Sequence, residues 1–156
     1  MHPYLQYATR KKPEIIALIK EMVECESPSD SPAEVNRFVD LVIERTRDVA
    51  DAKTIDRDGF GKHLRLEFKL NGKKKKGQAL GIGHSDTVWP TGTLKSMPYR
   101  EGEGRLWGPG VLDMKSGLAF FIYAVRTLRE LDVQTGRNIV LWMVSDEEVG
   151  AGHPAN

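Results

Sequence analysis

Hydrophobic positions recur along the chain with changing periods. From Lys11 to Glu26 the residues Ile15, Ile16, Leu18, Ile19, Met22 and Val23 return every three or four positions, which predicts a helix with Pro13 in its first turn. The run Ser27-Pro28-Ser29-Asp30-Ser31-Pro32 breaks it. A second helix is expected from Pro32 to about Val49, capped by Ser31, with Val35, Phe38, Val39, Val42 and Ile43 as its buried stripe. Past Ala50 the period becomes two, and His63 to Leu70 alternates polar and apolar residues as a half-exposed strand does. Asn71-Gly72 is a hairpin signal, so Gln78 to His84 is expected to return beside that strand, its Leu80-Gly81-Ile82-Gly83-His84 run buried. A Gly/Pro-rich connection from Ser85 to Gly110 follows, of a length that is often functional. Asp113 to Leu131 then reads as a helix apolar on most sides. Ile139 to Val144 is a continuous apolar run, the pattern of a strand covered on both faces.

These elements predict an α/β domain with a mixed, largely parallel sheet flanked by helices. The 156 residues fit one ordinary domain, and 40% hydrophobic with 29% charged residues speaks against a disordered or fibrous chain. The formal charge is +1, which gives no electrostatic case for nucleic acid or a membrane surface. The four lysines Lys73 to Lys76 have no interleaved aromatic residues and read as a solvated loop tip. No apolar run nears the ~20 residues of a bilayer span, and Met1 to Arg10 has no apolar signal core, so the expected compartment is the cytoplasm. A lone cysteine, Cys25, excludes an internal disulfide and suits a reducing environment.

In α/β folds, ligands sit beyond the carboxyl ends of the strands. Three polar clusters fall there: His84 and Asp86 after one strand, Asp113 after the turn Gly108-Pro109-Gly110, and Asp146, Glu147 and Glu148 after the last strand. Each has a bland explanation taken singly: a hydrogen-bonded histidine, a helix N-cap, a solvated acidic turn. Together they supply one imidazole and several carboxylates, a donor set that a divalent cation such as zinc accepts. His84 and Asp86, two apart, project to the same side of an extended segment, so a carboxylate could hold the second imidazole nitrogen. Adjacent Glu147 and Glu148 point in different directions, which leaves one free as a base while the other binds metal.

The wording of these motifs is recognisable. Gly83-His84-Ser85-Asp86-Thr87-Val88, Trp107 to Gly117 (with Leu112-Asp113-Met114-Lys115-Ser116-Gly117) and Ser145-Asp146-Glu147-Glu148-Val149-Gly150 resemble a dizinc metallohydrolase family that includes glutamate carboxypeptidase, acetylornithine deacetylase and succinyl-diaminopimelate desuccinylase. Glu26-Ser27-Pro28-Ser29 is similar to the end of that family's first helix. The resemblance implies that His84 binds one zinc, Asp113 bridges two, Glu148 binds the other, Glu147 is the general base and Asp86 orients His84. It also implies hydrolysis of a peptide or N-acyl amino-acid amide bond beside a carboxylate; the ligand types themselves would also accept Co or Mn in place of zinc. The run Asp86 to Leu94, with Pro98-Tyr99-Arg100, looks most like the glutamate carboxypeptidase branch.

Family members continue past the Glu-Glu motif with further metal ligands and a lid domain through which they dimerise. Residues 1–156 are therefore expected to be the N-terminal part of such a catalytic domain, of marginal stability in isolation. The tail Ala151 to Asn156 differs from the family's continuation, and His153 in it reads as a terminal residue rather than a ligand. The alternative to a zinc hydrolase is a truncated, inactive fragment with a vestigial metal site. Nucleotide binding by Gly102-Glu103-Gly104 or Gly108-Pro109-Gly110 lacks the full glycine fingerprint.

Overall fold

The computed structural model describes residues 2–150. Helix α1 spans Pro3–Glu24, α2 Pro32–Thr46 and α3 Ser116–Glu130; the strands are β1 (Ala50–Ile55), β2 (His63–Phe68), β3 (Gln78–His84), β4 (Arg100–Gly102), β5 (Arg105–Trp107) and β6 (Asn138–Val144). Helix α1 starts eight residues before the expected point, because Pro3 opens it and the His2 imidazole accepts from the Tyr4 N–H, so Pro13 lies inside it. Ser31 does stand at the α2 cap position, but it acts through its carbonyl, which accepts from the Val35 N–H at 3.1 Å, and its side chain makes no cap bond.

The main sheet runs β1-β2-β6-β3, and β4-β5 form a separate hairpin. It is mixed, as expected, but only β3 and β6 pair in parallel; β1-β2 and β2-β6 are antiparallel, so the largely parallel arrangement gives way. The Asn71-Gly72 hairpin is also overturned, because β6 inserts between β2 and β3. Pairing with β6 gives the most apolar strand two neighbours, where a hairpin would have left it on an edge. The Asn71-Gly72 turn instead meets the segment before β6: the Thr135 N–H donates to the Asn71 carbonyl at 2.9 Å. Gly72 sits at φ +118°, and a Cβ there would lie 2.5 Å from the Thr135 carbonyl oxygen.

One sheet face carries Leu64, Leu66, Phe68, Leu141 and Met143, which join Ile19, Met22, Val23, Phe38, Val39, Val42, Leu118 and Ile122 of the three helices in one core. Helix α3 presses against β3 so closely that a Cβ on Gly81 would lie 2.4 Å from the Phe121 ring. The opposite face is where the expectation of a doubly covered sheet fails. There Leu80 and Ile82 of β3 are 51% and 69% exposed, because the described helices pack on the other face, although Val140 of β6 beside them is 0% exposed. No helix among them is long and apolar enough to cross a membrane.

Candidate metal centre

The parallel register sets His84 opposite Val144, so β3 and β6 deliver their following residues to the same edge of the sheet. The pairing extends one step further, with the Ser85 N–H donating to the Val144 carbonyl at 2.8 Å. His84 is 6% exposed. Its Nδ1 lies 2.9 Å from the Asp86 carbonyl oxygen and 3.4 Å from Asp86 Oδ1. A carbonyl only accepts, so Nδ1–H donates to it, and the neutral imidazole presents its lone pair at Nε2.

Nε2 points at the carboxylates. Asp113 Oδ1 is 3.0 Å away and Glu147 Oε2 is 4.0 Å away. Ligating atoms of His84, Glu147 and Glu148 all lie within 4.8 Å of one another. His84, Glu147 and Glu148 therefore converge, with Asp113 beside the imidazole, and an imidazole with carboxylates is a donor set that a divalent cation accepts. Asp146 does not join them: it turns away and accepts from Arg57 Nε at 2.9 Å. His153 lies outside the described residues.

Asp113 reaches the cluster by an irregular route. The helix expected from Asp113 begins at Ser116, because Val111–Lys115 forms a wide turn closed by the Lys115 N–H on the Gly110 carbonyl at 3.0 Å. Asp113 and Met114 leave helical dihedrals within it (φ −114°, ψ 97° and φ −130°, ψ 33°). Asp113 is thus presented from a turn, with its side chain 73% exposed, and does not cap a helix.

Asp86 behaves differently from the other acids. It is 1% exposed, and its carboxylate accepts from Ser29 Oγ at 2.8 Å, the Glu147 N–H at 3.2 Å and the Glu148 N–H at 3.1 Å. Burial alone would raise its pKa, but the bonds from His84, Ser29 and the Glu148 backbone outweigh that and hold it below the usual carboxylate range. Burial alone would likewise lower His84; the hydrogen bonds of Asp86 and Asp113 reverse the sign and hold the imidazole up to about 9. Glu148 is raised, first by burial and then by the nearby charge of Asp113.

Two residues near the site were not singled out as chemistry from the sequence. Ser29 lies 57 positions from Asp86, and its signals were the Ser/Pro-rich helix break and its place in Glu26-Ser27-Pro28-Ser29, the stretch similar to the end of the family's first helix. Lys115 is 3% exposed, donates from Nζ to the Cys25 carbonyl at 2.8 Å and sits 4.7 Å from the Phe38 ring centroid. Burial pushes it down to about 8. Its visible signal was position: 115 falls in register with the buried Leu118 and Ile122 of the same helical stripe. Burial pushes the Cys25 thiol up, which suits its reading as a boundary residue of α1 and not a nucleophile.

Comparison with known proteins agrees with this geometry. Residues 81–155 match the profile of peptidase family M20/M25/M40. The chain is 25% identical over 154 residues to carboxypeptidase G2 of Pseudomonas sp. (strain RS-16), covering 94% of this chain and 35% of that protein. It is 32% identical over 139 residues to a succinyl-diaminopimelate desuccinylase of Cereibacter sphaeroides, covering 85% and 34%. Its fold is shared with human carnosine dipeptidase 1, at a TM-score of 0.77 and 23% identity over 96% of this chain and 35% of that one. The chain spans about a third of the length of the relatives it matches. The family profile falls on the part of the chain that holds His84, Asp113, Glu147 and Glu148, the residues brought to the strand ends.

Proposed function

We propose that the protein contributes the metal-binding half-site of a zinc-dependent hydrolase acting on a peptide or N-acyl amino-acid amide bond. The observation that carries this reading is the convergence of His84 Nε2 with Asp113, Glu147 and Glu148 at the open edge of the β3-β6 pair. His84, Asp113 and Glu148 would hold the metal. A divalent cation, when bound, supplies carbonyl polarisation and a lowered pKa for water. Glu147, whose side chain is 56% exposed and 4.0 Å from His84 Nε2, would take a proton and pass it to the leaving amine. Asp86 keeps His84 in the tautomer with Nε2 outward and, through its bonds to the 147 and 148 amides, fixes where both glutamates start. The resemblance to the dizinc family supports Asp113 as the ligand that two metals would share; it approaches Nε2 from a different element than the glutamates do. The names of the relatives, a carboxypeptidase and desuccinylases, support a substrate with a free carboxylate beside the scissile bond.

The test is calorimetric titration of the 156-residue chain with Zn²⁺ and Co²⁺, with His84→Ala and Glu148→Ala alongside. Binding that falls by about 100-fold or more in His84→Ala supports the reading, in line with loss of a direct ligand beyond the ~10–100-fold of an outer partner. Absent binding, or binding indifferent to both substitutions, overturns it and leaves a fragment with a vestigial site.

A further inference from the structure

The short segment Cys25–Ser29 between α1 and α2 bonds directly to the stretch after β3 and to the Asp113 turn, and reaches Glu147 and Glu148 through Asp86. Its Ser27 carbonyl accepts from the Thr87 N–H at 2.9 Å, and its Ser29 N–H donates to the Thr87 carbonyl at 3.1 Å, pinning the backbone just after His84. Ser29 Oγ holds Asp86, which in turn holds the amides of Glu147 and Glu148. The Asp113 turn meets the same segment through Lys115, whose ammonium donates to the Cys25 carbonyl.

We infer that Lys115 is a positioning residue: its bond to the Cys25 carbonyl locks the Val111–Lys115 turn against the segment that fixes His84 and Asp86, and so sets Asp113 at its distance from His84 Nε2. The inference rests on the metal-site reading above. Three observations carry it. Lys115 is almost fully buried although it bears a charge, and an apolar side chain of similar length would fill that space without desolvating an ammonium. Its contacts, a carbonyl and the Phe38 ring face, are directional and belong to elements other than its own. It directly follows Asp113 and Met114, the two residues that depart from helical dihedrals, so it is the first anchored side chain after the irregular stretch. Without that anchor the turn keeps one direct tie to β3, Met114 Sδ accepting from the His84 N–H at 3.3 Å, and loses its tie to the Cys25–Ser29 segment, while the core stripe of Leu118, Ile122 and Val125 still docks α3.

The experiment compares the full 156-residue chain with Lys115→Met, Lys115→Gln and Asp113→Ala by Co²⁺ titration, followed by visible absorption, thermal melting and amide hydrogen exchange. Lys115→Met is expected to melt at or above the wild-type temperature, bind Co²⁺ about 10-fold or more weakly with an altered visible spectrum, and exchange faster at residues 111–115 but not in β6. Lys115→Gln, which keeps an N–H donor, should lie between. Wild-type affinity and wild-type exchange at 111–115 in Lys115→Met overturn the inference; if that variant does not fold, the same two readouts in Lys115→Gln decide. If the wild-type chain takes no Co²⁺, the metal reading fails, and exchange at 111–115 still decides the role of Lys115: faster exchange upholds the anchor, and unchanged exchange removes it.

Discussion

Asp86 and Asp113 both face His84, yet one is saturated by the protein and the other left open. Asp86 is buried under donors from Ser29, Glu147 and Glu148, whereas the Asp113 side chain is 73% exposed and touches little besides Nε2. The same division separates the inner rim of the site from its outer rim of Glu147 and Glu148. A carboxylate whose lone pairs are spent on amides cannot be a ligand, and one without protein donors is available to a cation. Partner saturation therefore separates supporting from binding acids here better than proximity to the histidine does.

The largest effect that tests this division is Asp86→Ala. It leaves the Glu147 and Glu148 amides without their acceptor and the Ser29 hydroxyl with only the Thr87 carbonyl at 3.3 Å, and a loss of roughly 2–3 kcal/mol in urea denaturation is expected. Asp113→Ala should cost under about 0.5 kcal/mol while weakening metal binding. Equal destabilisation by the two would erase the distinction.

The metal-free chain should also carry a pH signature of the same contrast. His84 is raised from its ordinary 6.5 to about 9, so its contribution is complete below pH 6.5 and fades as pH rises toward 9. Asp86 is lowered, so its contribution is present above the unfolded carboxylate pKa and fades as pH falls through its folded value, on the acid side of pH 4. Denaturation midpoints from pH 3 to 10 should show both flanks, and His84→Gln should flatten the alkaline one. An unchanged alkaline flank in that variant would assign it to another group.

Ser29→Ala removes one of the three donors on Asp86 and should cost about 1–2 kcal/mol, with metal affinity falling alongside. The smallest effect is expected at Glu148→Gln. Burial and the charge of Asp113 raise Glu148, so removing its charge relieves crowding and should leave the metal-free chain equal or slightly more stable, within about 0.5 kcal/mol. A clear destabilisation would mean that Glu148 is part of the supporting rim.

What could be read in the chain was whatever is encoded over short distances. The helical stripes of α1 and α2, the alternation of β2 and the apolar run of β6 are local patterns, and burial followed them at Val35, Phe38, Leu64, Leu66 and Met143. His84, Asp113, Glu147 and Glu148 were legible because each ends or interrupts such a pattern, and strand ends are where ligands gather. The order of the sheet was not legible. Asn71-Gly72 is a sound turn signal, but strand pairing is decided by which strand best completes the apolar face, and β6, more than 60 residues further on, does so. The support of the site was equally out of reach: Ser29 with Asp86 and Lys115 with Cys25 are contacts 57 and 90 residues apart. Periodicity carries no record of such pairs. A polar residue needs a partner once it is buried, and only the packed chain decides which residues are buried together.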